Sequence, residues 1–158
     1  MDHSTKTGFS FGVTSAIITT LGLIMGLYSG THSRLAVMGG ILVIAIADAF
    51  SDALGIHVSE ESENVHTEKE IWTSTASTFG FKFIFSMSFL VPVILLPLGT
   101  AVAVSIIWGL SILAALSAMM AMSRKEKPWK VIGEHLLIAV AVIIITNYVG
   151  IWISGVFG

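Results

Sequence analysis

Cysteine is absent, charged residues make up only 11% of the 158 positions, and proline occurs three times. Without thiols there is no disulfide framework and no thiolate metal site, so any metal would be held by carboxylate, imidazole, thioether, carbonyl or water. So few charges cannot cover the surface of a soluble domain of this length. The net charge of -2 offers no basic footprint, which sets nucleic acid aside as a partner. No nucleophile stands beside a base in a recognisable pattern, so the chain does not read as an enzyme.

What is present is apolar. Hydrophobic residues account for 54% of the chain and mean hydropathy is +0.90. The apolar residues fall into runs at about 8–29, 35–57, 75–96, 99–122 and 131–156, each near the ~20 residues that a helical span requires. The expected fold is an all-α, multi-pass membrane protein: a single domain built as a five-transmembrane-helix bundle in the lipid bilayer. The first run follows a short polar segment and is too long for a signal peptide, so it reads as a permanent span. The connections near Gly30 and Pro97 are short enough for tight antiparallel hairpins. Lys6, Lys69, Arg124, Lys125, Lys127 and Lys130 collect on the side of the N-terminus, against Arg34 on the other. That asymmetry places the N-terminus in the cytoplasm, with Trp72 and Trp129 at the same interface.

Small residues recur every fourth position. Gly8, Gly12 and Ala16, then Gly22, Gly26 and Gly30, form ridges on the first span, and Thr146, Gly150, Ser154 and Gly158 repeat the device on the last. Such ridges admit a second helix backbone, either within the chain or across a homodimer seam. A homodimer through Gly22, Gly26 and Gly30 is the sharper expectation. Pro92 removes a hydrogen bond from the third span and predicts a kink there.

Ionisable chemistry concentrates in the second span. Asp48 and Asp52 lie one helical turn apart on one face. Each costs ~2.5 to 3.5 kcal/mol at a bilayer centre unless water, a cation or a basic partner meets it. His57, Glu60, Glu61 and Glu63 prolong the acidic track, and Glu68 and Glu70 follow with only Lys69 against them. Oxygen ligands suit a hard divalent cation, and an adjacent imidazole turns the preference toward Fe, Mn or Zn. The metal-ligand candidates are therefore Asp48, Asp52, His57, Glu60, Glu61 and Glu63. A competing structural reading pairs Asp48 or Asp52 with Lys82 of the third span, and treats the acidic connection as a solvated face. Asn147, Met25, Met87, Met119, Met120 and Met122 are further oxygen or thioether donors, the methionines mostly as packing. Glu134 and His135 begin the last span, where interfacial solvation is the default.

These residues resemble the vacuolar iron transporter family of five-span, dimeric, proton-coupled Fe(II) and Mn(II) transporters. Gly8-Phe9-Ser10-Phe11-Gly12-Val13-Thr14 through Gly22-Leu23-Ile24-Met25-Gly26-Leu27 looks like the family's first-span signature. Asp48-Ala49-Phe50-Ser51-Asp52-Ala53-Leu54-Gly55-Ile56-His57-Val58-Ser59 looks like its second-span motif. Pro128-Trp129-Lys130 and Tyr148-Val149-Gly150 are similar to the ends of its last span. The departures are chemical: Phe11 stands where the family usually has Asp, and Asp52 where it has Met. The segment Ser59 to Trp72 leaves no room for the family's glutamate-rich metal-binding domain. The resemblance implies proton-coupled export of Fe(II) or Mn(II) from the cytoplasm, with the metal as cargo and no tightly bound cofactor. The alternative is a non-transporting membrane assembly module with a structural Asp-Lys pair. In the transport reading Asp52 is expected to matter more than the acidic connection, because it is the one whose charge needs a reason.

Overall fold

The computed structural model describes residues 2–158, and its regular elements are all helical among them. The helices are α1 (His3–Thr31), α2 (Arg34–Glu63), α3 (Glu68–Ser88), α4 (Leu90–Leu95), α5 (Leu98–Arg124) and α6 (Pro128–Phe157). With α3 and α4 forming one span, five segments are long and apolar enough to cross a membrane, the longest of 30 residues. The chain is thus a multi-pass integral membrane protein. At 1.5 Å per residue, 30 residues reach about 45 Å, beyond the ~30 Å hydrocarbon core. That excess explains why the helices outrun the apolar runs: their ends stand at headgroup depth, where α2 continues through the acidic segment to Glu63.

Local chemistry sets most ends. Asp2 caps α1 by accepting from Thr5 N at 2.8 Å, and the hydrogen bonds from Thr5 hold its carboxyl below the usual carboxylate range. Ser33 caps α2, and Thr67 with Glu70 forms a reciprocal capping box on α3. His32, Asn64 and Lys125 close α1, α2 and α5 in the left-handed conformation usually given to glycine. The kink expected from Pro92 is a full interruption. Helix α3 stops at Ser88, four residues before the proline that cannot bond back to it, and α4 restarts at Leu90.

Helix α1 is the hub, in contact with α2, α3, α5 and α6. Of its most apolar stretch 44% is buried, against 17% for α6. Val13, Ile17, Leu21 and Ile24 of α1 meet Val37 and Ile41 of α2, Phe89, Leu113 of α5 and Ile143 of α6 in the core. Its glycines explain how so many neighbours fit. A Cβ on Gly8 would stand 2.7 Å from Thr78 N, and one on Gly12 2.8 Å from Thr78 O. The upper ridge serves α6 in the same way: a Cβ on Gly22 would lie 2.9 Å from Val142 Cγ1, and one on Gly30 3.4 Å from Gly150 O. The Gly22, Gly26, Gly30 seam expected to join two copies is therefore taken up inside one chain, because α6 carries the complementary Thr146 and Gly150.

Five spans put the two ends of the chain on opposite sides of the bilayer. Asp2→Cys and Gly158→Cys, free of background because the chain has no cysteine, should be labelled by an impermeant maleimide from opposite faces. Labelling of both from one face would refute the five-span topology.

Candidate functional site

The densest polar constellation lies inside the bundle. On α3, Ser74, Thr78, Lys82 and Ser86 recur every fourth residue and are all buried. This stripe faces the small-residue side of α1, where Gly8 and Gly12 bring the two backbones together. The approach leaves Lys82 fully buried, at 0% exposure. Its ammonium donates to Asp52 Oδ2 on α2 and to Ser15 Oγ on α1, the latter at 2.9 Å. It also lies 2.5 Å from Asp48 Oδ2. One cation thus ties three helices and lies between the two carboxylates that the sequence places a turn apart.

The two carboxylates are not equivalent. Asp52 receives a directed hydrogen bond from Lys82 and keeps 19% of its side chain exposed. Asp48 is close to the ammonium but Oδ2 receives no directed hydrogen bond, and 28% of its side chain is exposed. Asp48 also borders a groove of about 400 Å³ with Leu23, Gly40, Ala47 and Ser51, while Asp52 does not. With all three groups ionised the cluster carries one net negative charge. In lipid such a charge is costly unless water or a cation reaches it. Asp48, at the groove, is where either can arrive.

The remaining expected ligands do not converge. His57 accompanies Asp52 on α2, but its Nδ1 is 3.0 Å from Thr75 Oγ1 and its ring meets the edge of Trp72. Glu60 is 6% exposed with Oε2 unpartnered. Glu61 is exposed, and Glu63 reaches His66 at 3.4 Å. Among the described residues no three His, Asp or Glu side chains gather around one point able to hold a metal. Asn147 accepts from Ser29, tying α6 to α1, and His135 Nδ1 lies 2.7 Å from Ser117 Oγ. Met25, Met87 and Met120 pack against the core, whereas Met119 and Met122 are exposed.

Sequence reasoning missed Ser15. Nothing marked it beyond a small polar residue in a glycine-rich helix. The sequence reading also passed over the four-residue repeat Ser74, Thr78, Lys82 and Ser86 on α3, and only the position of α1 tells which side of α3 is dry. Comparison of the chain with family models, with curated proteins and with solved structures returned no match.

Proposed function

We propose that the chain is a proton-linked cation transporter of the vacuolar iron transporter kind, carrying Fe(II) or Mn(II) out of the cytoplasm, with Asp48, Asp52 and Lys82 as its exchange site. The observation that carries this reading is a fully buried ammonium shared by two carboxylates that both remain partly exposed. Two carboxylates balance one divalent cation. If Lys82 gives up its proton as the metal arrives at Asp48, the site becomes neutral, and once the metal departs Lys82 takes up a proton again. Asp52 holds Lys82 in place, and the acidic end of α2 gathers cations ahead of the groove. No metal site is complete within one chain among the described residues, so the further ligands would come from water or from a second copy seated against the exposed side of α2.

The test is metal flux into liposomes containing purified protein. Asp48→Asn and Asp52→Asn, each shown to be folded, should each reduce Fe(II) or Mn(II) flux at least a hundredfold. Joint neutralisation of Glu60, Glu61 and Glu63 should chiefly weaken apparent affinity. Metal flux in the wild type unaccompanied by counter-movement of protons would refute the coupling, and no flux at all would refute the transporter.

A second reading is favoured by one specific contact. Lys82 also bonds Ser15 at the close joint between α1 and α3, as a purely structural clamp would. Under that reading the chain is a non-transporting assembly module, and the Asp variants change stability alone.

A further inference from the structure

The end of the bundle expected to face the cytoplasm is divided by charge. Glu60, Glu61, Glu63, Glu68 and Glu70 surround the turn between α2 and α3, whereas Arg124, Lys125, Lys127 and Lys130 surround the turn between α5 and α6. On the basic half a crevice of about 720 Å³ opens between the start of α1, the end of α5 and the start of α6. Lys6, Arg124 and His3 line its polar part, and among the described residues no Asp or Glu lines it. Its apolar part includes Phe11, Met119 and Met120. Phe11 is 42% exposed and Met119 57%.

Depth orders these groups. Phe11 follows Lys6 along α1, and Met119 precedes Arg124 on α5, by about a turn and a half in each case, or roughly 7 Å of helix rise. The cations therefore stand at headgroup level and the apolar wall lies deeper in the bilayer. We propose that this crevice binds one anionic phospholipid of the adjacent leaflet, its phosphate between Lys6 and Arg124 and an acyl chain along Phe11 and Met119. Basic recesses between spans on the cytoplasmic side suit such headgroups. Free phosphate would leave the apolar wall bare. A second copy related by a two-fold axis through this patch would set it against itself, bringing Lys6 and Arg124 toward their own duplicates. The inference is independent of whether the chain transports metal.

Purified full-length protein in detergent, titrated with phosphatidylglycerol or with phosphatidylcholine of the same acyl chains, can be read by native mass spectrometry. Phosphatidylglycerol should bind at least tenfold more tightly, and the double variant Lys6→Gln with Arg124→Gln should lose that preference. Lys125→Gln with Lys127→Gln removes the same charge outside the crevice and should keep it. Equal affinity for the two lipids would overturn the proposal without recourse to any variant. So would an unchanged preference in the Lys6 and Arg124 variant, or full displacement of the lipid by millimolar inorganic phosphate. An interchain disulfide formed by Phe11→Cys in bilayers would assign the crevice to a second copy instead.

Discussion

Lys82→Met should cost about 3 to 5 kcal/mol of stability, the loss typical when one partner of a buried ion pair is removed. The methionine fills a similar volume, so the cost does not come from a cavity. It comes from Asp48 and Asp52, left facing each other a turn apart with no cation, and from Ser15 left without its donor. Denaturation in mixed micelles, with helicity as the readout, measures it. Adding Asp48→Asn and Asp52→Asn to Lys82→Met removes the stranded charges and should restore most of the stability, since a buried ionic cluster replaced as a whole is often nearly neutral. The triple variant also separates the two functional readings. As a clamp the cluster is dispensable once replaced, so a stable triple variant would keep whatever the chain does. As an exchange site it is not, and the triple variant would be folded and without flux. Wild-type stability in Lys82→Met alone would remove the clamp reading.

Gly12→Leu should be nearly as damaging, by about 2 to 3 kcal/mol, at the upper end of what overpacking usually costs. The added carbon meets Thr78 O at 2.8 Å and Lys82 N at 3.2 Å, both backbone atoms that cannot rotate aside. Helix α1 must then move off α3, and Ser15, one turn further on, moves with it away from Lys82. The same measurement has internal controls. Gly39 and Gly80 have nothing within 4 Å of the place a Cβ would occupy, so Gly39→Ala and Gly80→Ala should gain up to about 1 kcal/mol from helix propensity. At Gly26 the nearest atom is Thr146 O at 3.5 Å, which accommodates alanine but not leucine. Gly26→Leu should thus loosen α1 from α6 within the chain before it affects any contact between copies. Equal stability of Gly12→Leu and Gly80→Leu would mean that α1 and α3 do not meet as described.

The functional proposal rests on the chain's own residues. The geometric argument centres on Asp48, Asp52 and Lys82. The structure adds an asymmetry between the two carboxylates: Asp52 secures the lysine, and Asp48 faces the groove. The importance that sequence reasoning assigned to Asp52 is therefore divided between them in the proposed mechanism.

Span number, the helical class and the lipid environment were legible in the sequence because they depend on the length and apolarity of local runs, which a bilayer reads one segment at a time. The same holds for the shared face of Asp48 and Asp52, which follows from helix periodicity alone. Partner choice was not legible. The glycine ridge at Gly22, Gly26 and Gly30 is equally suited to a helix of its own chain or of another, and only the arrangement of α6, with Thr146 and Gly150 facing it, decided for the former. Lys82 was within sight of either aspartate by its depth in the third span. That it meets both, and takes Ser15 as well, depends on how closely α1 and α3 approach and how α2 is rotated against them. Those distances are set by packing between helices far apart in sequence, for which a periodic pattern specifies a face but not the neighbour that covers it.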